Sequence, residues 1–203
     1  MKPGLPRLHA VTDERIARRP DLADLVSALA FVKDDRLAFH ARGRTLSGLA
    51  HWELADRLSA RPPVRCFVND RLDVALAVGA DGVQLPGESL SPAAARVLGP
   101  GWWIGNSVHD LAEARTAQAE GADYLLVGPV FPTATHPGAV PLGIAALRGF
   151  VELGCPVIAI GGVTPERTAD LVRLGVYGVA AIRALWDAPQ PEAAAGAFLE
   201  ALG

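Results

Sequence analysis

Eight short runs of apolar, often β-branched residues alternate along the chain with longer amphipathic runs rich in alanine and leucine. The short runs predict strands at Leu8–Val11, Leu37–His40, Arg65–Val68, Gly82–Leu85, Trp103–Gly105, Tyr124–Val127, Val157–Ile160 and Gly178–Ile182. The longer runs predict helices at Asp21–Lys33, Leu46–Ala60, Asp70–Val78, Pro92–Leu98, Leu111–Glu120, Gly143–Leu153, Pro165–Leu174 and Pro191–Leu202. Strands that are apolar almost throughout are typical of parallel sheets with both faces covered.

This alternation predicts an α/β fold, a single compact (β/α)8 TIM barrel. Eight units in 203 residues is about 25 residues each, near the short limit for such a barrel. Gly79, Gly121 and Gly175 each follow a predicted helix, where glycine can close the last turn. An open doubly wound sheet is the alternative, but eight units without a second domain favour closure. No linker or low-complexity segment divides the chain, and we expect one domain over residues 1–203.

Composition narrows the classes of partner. The formal net charge is −3 and there is no basic block, so we expect no nucleic-acid or anionic-membrane surface. No apolar run approaches the roughly 18 residues of a membrane span, and the first residues lack the apolar stretch of a signal peptide. We therefore expect a cytoplasmic protein with no membrane partner, in which Cys66 and Cys155 are buried free thiols. The sequence leaves association into a homo-oligomer open.

In a barrel of this kind, the loops that follow the strands form the active site. Gly161 and Gly162 follow the seventh predicted strand, and Arg183 follows the eighth. Paired glycines let backbone N–H groups approach an anion, and the N-terminus of the next helix adds partial positive charge. These residues predict a phosphate site. A tight strand-to-helix turn that needs glycine only for packing is the alternative.

Polar side chains also follow the third and sixth predicted strands. Asn69 and Asp70 can meet a ligand or a metal ion, although Asp70 could instead cap the following helix. Thr133, Thr135 and His136 lie in a long loop after the sixth strand. Histidine titrates near neutrality and suits proton transfer, so His136 is a candidate acid or base.

Two further loops contribute candidates. Ser107 and His109 follow the fifth predicted strand, although His109 could simply begin a helix. Arg42 and Arg44 follow the second strand, where their guanidinium groups could bind an anionic part of a substrate. The other histidines considered, His9 and His51, lie within a predicted strand and a predicted helix, and we interpret both as structural.

Together, several of these segments resemble the family of thiamine phosphate synthase and its TenI-type relatives. The matching segments are Leu8–Asp13, Val68–Arg71, Gly79–Val83, Ile104–His109, Gly128–Thr135 and Ile160–Val163. They run in order from residue 8 to about residue 186. The resemblance implies a (β/α)8 barrel and an enzyme of thiamine biosynthesis whose ligand is a small thiazole phosphate.

The chain departs from the synthase pattern at several site positions. Ser89 stands where the resemblance implies a second metal-binding aspartate, and Arg44 stands where it implies a lysine. His136 replaces a lysine in the loop after the sixth strand, and Arg183 replaces a serine. The phosphate-binding glycines remain. Binding of a thiazole phosphate is therefore expected to be retained, while Mg²⁺-assisted departure of diphosphate is expected to be weakened.

Three functions follow from this pattern. The leading hypothesis is a TenI-like thiazole tautomerase, an isomerase that needs no cofactor. Its expected proton carrier is His136, with His109 as the second candidate. Val83–Pro86 resembles the TenI branch, but Pro129 stands where the TenI histidine is expected. The first alternative is thiamine phosphate synthase, a transferase that joins hydroxymethylpyrimidine diphosphate to thiazole phosphate and releases diphosphate, with Mg²⁺ bound by Asp70. The second alternative is a non-catalytic regulatory protein that binds thiazole phosphate.

Overall fold

Eight parallel strands close into a barrel in the order of the sequence. The computed structural model describes residues 4–135 and 138–203. The strands are β1 (Leu8–Val11), β2 (Leu37–Ala41), β3 (Arg65–Asn69), β4 (Gly82–Leu85), β5 (Trp103–Val108), β6 (Tyr124–Val127), β7 (Val157–Ile160) and β8 (Gly178–Ala181). Strand β1 pairs with β2 on one side and with β8 on the other, which closes the barrel. The predicted (β/α)8 fold is confirmed.

Helices follow the strands around the outside of the barrel. They are α1 (Glu14–Ala17), α2 (Leu22–Ala30), α3 (Gly48–Ser59), α4 (Leu72–Val78), α5 (Pro92–Leu98), α6 (Leu111–Ala119), α7 (Leu147–Val151), α8 (Pro165–Arg173), α9 (Arg183–Trp186) and α10 (Pro191–Leu202). No helix in the described part of the chain is both long and apolar enough to cross a membrane.

The helix bounds differ from the predicted ones in informative places. The four-residue helices α1 and α9 were not predicted, because one turn is too short to show helical periodicity. The helix predicted at Gly143–Leu153 is shorter, and Gly143 has a φ of +75°. The helix predicted from Asp70 begins at Leu72, because Asp70 itself has a φ of +65° and cannot be helical.

Side chains of the strands alternate between the surrounding helices and the barrel interior. In β1, Leu8 and Ala10 pack in the outer apolar cluster, whereas Val11 packs in the inner one. Three polar side chains on the strands, His9, His40 and Gln84, are fully buried. The interior is therefore partly polar directly beneath the open end of the barrel. The two cysteines, Cys66 and Cys155, are free and buried, as predicted.

Candidate active site

A large cleft of about 1790 Å³ opens at the C-terminal ends of the strands. It is lined by the predicted site residues that the structure describes: Arg42, Arg44, Asn69, Asp70, Ser107, His109, Thr133, Thr135, Gly161, Gly162 and Arg183. His136 lies outside the described residues. Residues at the ends of six different strands, or in the segments that follow them, thus meet in one place, because the carboxyl ends of parallel strands share one face of the barrel.

Asp70 and Ser89 form a pair of oxygen groups in this cleft. Asp70 follows β3 with a left-handed backbone, and it does not cap α4, which makes no side-chain capping bond. The Ser89 hydroxyl donates to Asp70 Oδ1 at 2.6 Å. Left-handed backbone is uncommon for a residue other than glycine and often marks a functional position. Here it places an exposed carboxylate on the cleft instead of on the helix N-terminus.

The oxygen pair fits Mg²⁺. Carboxylate and hydroxyl oxygens are hard donors, and Mg²⁺ is usually held by one or two carboxylates, with water and substrate phosphate oxygens as its other ligands. Among the described residues, no group of three or more His, Cys, Asp or Glu side chains gathers into a metal cage. The donor set at Asp70 and Ser89 therefore suits an ion that arrives with a phosphorylated substrate.

The loop after β2 brings two guanidinium groups to the cleft. The backbone N–H of Arg42 donates to Thr12 Oγ1 at 2.8 Å, and the Thr12 hydroxyl donates in turn to the carbonyl oxygen of His40 at 2.9 Å. Burial, with the nearby positive charge of Arg44, lowers the pKa of Arg42. Even so, an arginine remains charged at neutral pH. Arg42 is therefore a half-buried cation, and Arg44 an exposed one, on the wall of the cleft.

Gly161 and Gly162 form a close turn after β7. Their φ values are +96° and +63°, and a Cβ at Gly162 would lie 2.5 Å from the carbonyl oxygen of Pro132. The Phe131 N–H donates to the Gly161 carbonyl oxygen at 3.0 Å, which ties this turn to the loop after β6. Glycine is therefore required both for backbone conformation and for space. The turn lies on the cleft wall, and the phosphate site predicted for it stays a prediction.

Arg167 was not predicted from the sequence but lines the same wall. Its Nη1 donates to the Gly162 carbonyl oxygen at 2.5 Å, and its guanidinium lies 4.6 Å from the centre of the Phe131 ring. Helix α8 begins after Thr164, whose side chain makes no capping bond, contrary to the capping role that its position suggests. The exposed N-terminal turn and Arg167 both add positive potential beside the glycines.

His109 is exposed on the cleft and does not begin a helix, because α6 starts at Leu111 and is capped by Asp110. Its Nδ1 lies 2.8 Å from the Gly128 carbonyl oxygen. A carbonyl oxygen can only accept, so Nδ1 carries the proton and the other nitrogen of the neutral ring, Nε2, is left as an acceptor.

Ser107 and the two threonines supply hydroxyl groups. Gln84 Nε2 donates to Ser107 Oγ at 3.0 Å, so the hydroxyl proton of Ser107 stays available to the cleft. Gln84 Oε1 is buried and has no hydrogen-bond partner among the described residues. The Thr135 N–H donates to Thr133 Oγ1 at 3.3 Å, and both threonines are half-buried.

A chain of buried imidazoles, also unpredicted, leads from the barrel interior to the cleft. His9 Nδ1 lies 2.8 Å from His40 Nε2, and His40 Nδ1 lies 3.2 Å from the side chain of Asn69. Burial lowers the pKa of His9 to about 4, and burial, followed by the neighbouring His9, lowers that of His40 well below 6.5. His51 is buried and bonds the Ala41 carbonyl oxygen at 2.9 Å. A polar residue inside an apolar strand was the available sequence signal for His40.

Comparison with known proteins decides the family. A family model described as thiamine monophosphate synthase matches residues 8–185. The chain belongs to this family. The thiamine monophosphate synthase family thus accounts for the barrel and for the cleft at its C-terminal end, and the chain is an enzyme of thiamine biosynthesis that acts on small phosphorylated molecules.

Several relatives of the chain are named thiamine-phosphate synthase. A thiamine-phosphate synthase from Salinispora arenicola is 42% identical over 98% of both chains. Another from Chloroflexus aurantiacus is 41% identical over 93% of this chain and 89% of its own. The solved thiamine phosphate pyrophosphorylase from Pyrococcus furiosus is 33% identical, covers 97% of this chain and 95% of its own, and superposes with a TM-score of 0.82. These names favour the synthase alternative over the tautomerase hypothesis.

Proposed function

We propose that this enzyme is a thiamine-phosphate synthase that joins hydroxymethylpyrimidine diphosphate to thiazole phosphate and releases diphosphate. The observation that carries the proposal is the Asp70–Ser89 oxygen pair in the same cleft as the Gly161–Gly162 turn. A metal-independent tautomerase has no use for a hard oxygen pair, whereas a diphosphate substrate does. The names of relatives at 41% and 42% identity support the same reaction.

The thiazole phosphate binds at the glycine turn in this proposal. Gly161, Gly162 and Thr164, which directly precedes α8, line the cleft, and Arg183 lines it at the start of α9. The helix N-terminus and the guanidinium together stabilise a phosphate dianion. The phosphate thereby anchors the thiazole, and the ring nitrogen that forms the new bond is oriented by a group remote from it.

The diphosphate of the second substrate is proposed to bind in the same cleft, between the loop after β2 and the segments at the ends of β5 and β6. Arg42 and Arg44 neutralise its charge, while the hydroxyl groups of Ser107, Thr133 and Thr135 donate hydrogen bonds to its oxygens. Asp70 and Ser89 hold Mg²⁺ in this proposal, and a bound ion supplies charge neutralisation for the departing diphosphate. Because the leaving group is an anion, its departure depends on surrounding positive charge more than on a proton carrier.

Histidine has a smaller role here than in a tautomerase. His136 is proposed to donate a proton to an oxygen of the departing diphosphate, and His109 is proposed to do so from the ring form that carries a proton on both nitrogens. His109 is fixed by the Gly128 carbonyl oxygen, so its Nε2 is the atom that acts. Single substitution of either residue is therefore expected to slow condensation without abolishing it.

The test compares Asp70→Ala with Asp73→Ala in a condensation assay that contains Mg²⁺. Asp73 is an exposed carboxylate three residues further on that pairs with Arg71 and does not line the cleft, so it controls for the change in charge. We expect Asp70→Ala to lose roughly 100-fold or more of the rate, since charge stabilisation of several kcal/mol is removed. Equal rates for the two variants would contradict the proposal, and tautomerase activity that survives Asp70→Ala would support the isomerase instead.

A further inference from the structure

A buried series of hydrogen-bonding groups runs from the Pro6 carbonyl oxygen through His9 and His40 to Asn69. Its first contact determines where each proton along the series lies. His9 Nε2 lies 3.0 Å from the Pro6 carbonyl oxygen, which can only accept a hydrogen bond. His9 Nε2 must therefore carry a proton. In a neutral ring, His9 Nδ1 is then bare, and it must accept from His40 Nε2 at 2.8 Å. His40 in turn has a bare Nδ1, which needs a donor.

Asn69 is the next residue along this chain. The contact of 3.2 Å joins His40 Nδ1 to the carboxamide of Asn69, recorded with Oδ1 toward the ring. The NH2 and oxygen ends of a carboxamide have the same shape, and the hydrogen-bond network decides between them. Two acceptors would face each other if the oxygen pointed at a bare nitrogen. The network therefore requires the NH2 group of Asn69 at His40.

The opposite arrangements are disfavoured. If His40 Nδ1 carried the proton, both neutral rings would reverse, and bare His9 Nε2 would face the Pro6 carbonyl oxygen. If His9 carried a proton on both nitrogens, every contact would be satisfied, but a positive charge would lie in the barrel interior. His9 is fully buried among aromatic rings, with Phe67 and Tyr124 each 5.7 Å away. An unpaired charge in such surroundings is costly.

We propose that His9 and His40 are positioning residues that hold the Asn69 carboxamide with its NH2 group toward His40 and its oxygen toward the cleft. His40 is itself fixed by stacking on Phe67, with ring centres 5.0 Å apart and planes 9° from parallel. Asn69 lines the cleft next to Asp70. Its oxygen there accepts from an N–H or O–H group of a substrate and repels a phosphate oxygen.

This assignment rests on the proposed function in one respect only, namely the identity of the substrate that supplies the hydrogen-bond donor. With this orientation of Asn69, the cleft contains two kinds of binding group. The arginines and the glycine turn bind phosphate, while Asn69 recognises a hydrogen-bond donor on a neutral part of a substrate. Since both imidazoles are fully buried and do not line the cleft, they act only through Asn69.

The direct test is nitrogen-15 NMR of the histidine rings in the full-length protein at pH 7, with resonances assigned through the backbone. We expect His9 and His40 both to be neutral with the proton on Nε2. A proton on Nδ1 of either ring, or a doubly protonated His9, would overturn the proposal. This readout needs no turnover, so it stands or falls independently of the synthase assignment.

A second test uses a double-mutant cycle between His40→Phe and Asn69→Ala. His40→Phe is expected to raise the KM of one substrate about 10-fold, as for one lost hydrogen bond, and to leave kcat nearly unchanged. The same change in the Asn69→Ala background should raise KM by less than about 2-fold, although both forms lose thermal stability. A full 10-fold effect in both backgrounds would contradict the proposal, because His40 would then not act through Asn69.

Tyr124→Phe is the control for perturbation of the barrel interior. Tyr124 packs in the inner apolar cluster beside His9, and its buried hydroxyl has no hydrogen-bond partner among the described residues. Removal of this hydroxyl should leave the KM of both substrates unchanged. A KM rise as large as that of His40→Phe would show that any change in this layer disturbs the cleft, and it would overturn the specific role given to the imidazoles.

Discussion

The Ser89 hydroxyl donates to Asp70 Oδ1 at 2.6 Å, joining the loop after β4 to the loop after β3. Asp70 is held there with a φ of +65°, while its backbone N–H donates to the Gln84 carbonyl oxygen at 3.0 Å. A strained backbone fixed by contacts from a neighbouring strand keeps the carboxylate available to a ligand. Ser89 thus supplies a second oxygen beside the Asp70 carboxylate.

Replacement of Ser89 by aspartate should strengthen the metal site. A second carboxylate beside Asp70 adds negative charge and a hard oxygen donor, both of which favour Mg²⁺. We expect the Mg²⁺ concentration for half-maximal condensation to fall about 10-fold. Ser27→Asp, which adds the same charge on an exposed face of α2, should leave it unchanged. An unaltered Mg²⁺ requirement in Ser89→Asp would count against this location for the ion.

Gly162→Ala should damage the phosphate site specifically. Gly162 and Gly79 share a φ of +63°, but a Cβ at Gly162 meets the Pro132 carbonyl oxygen at 2.5 Å and one at Gly79 meets nothing within 4 Å. Both alanine variants should lose roughly 1–2 kcal/mol of stability from the left-handed backbone alone. Only Gly162→Ala should raise the KM for thiazole phosphate. Steady-state kinetics with thermal denaturation of both variants would check this, and a similar KM for the two would refute it.

Arg42→Gln should weaken binding of the diphosphate substrate. Arg42 is a half-buried cation on the cleft wall, and hydrogen bonds between charged groups contribute about 1.5–3 kcal/mol. The KM for hydroxymethylpyrimidine diphosphate should therefore rise about 10- to 100-fold. Arg57→Gln removes the same charge from an exposed position on α3 outside the cleft and should have no effect. Equal KM values for the two variants would exclude Arg42 as a diphosphate ligand.

The buried His9 should make the fold sensitive to acid. Its pKa is lowered from 6.5 to about 4 in the folded protein by burial, so the unfolded chain binds this proton first as pH falls. The stabilisation is present above about pH 6.5 and is lost progressively toward pH 4, amounting to about 2 kcal/mol lost at pH 5. Denaturant unfolding at pH 7 and pH 5 should show a correspondingly smaller acid loss in His9→Phe. The same loss in both proteins would indicate that His9 is not buried in neutral form.

Much of the fold could be predicted because buried parallel strands are continuous apolar runs, and glycine marks helix ends. Gly79 does have the left-handed conformation expected at the end of α4. The described site residues also lie together as predicted, since the loops that follow parallel strands meet at one face.

Other features depend on contacts that a linear pattern does not encode. His40 and Gln84 are polar residues in otherwise apolar strands, but the sequence does not show which side of each strand faces the barrel interior, so their inward direction was missed. The left-handed backbone of Asp70 and its bond to Ser89 depend on the neighbouring strand β4. Arg167 was missed because its position follows from packing on Phe131.

The most direct measurement of the central claim is a condensation assay with the purified enzyme, hydroxymethylpyrimidine diphosphate and thiazole phosphate, first with Mg²⁺ and then with EDTA. We predict thiamine phosphate and an equal amount of diphosphate with Mg²⁺, and neither product with EDTA. Absence of thiamine phosphate under both conditions, together with metal-independent tautomerisation of the thiazole carboxylate phosphate, would contradict the synthase assignment.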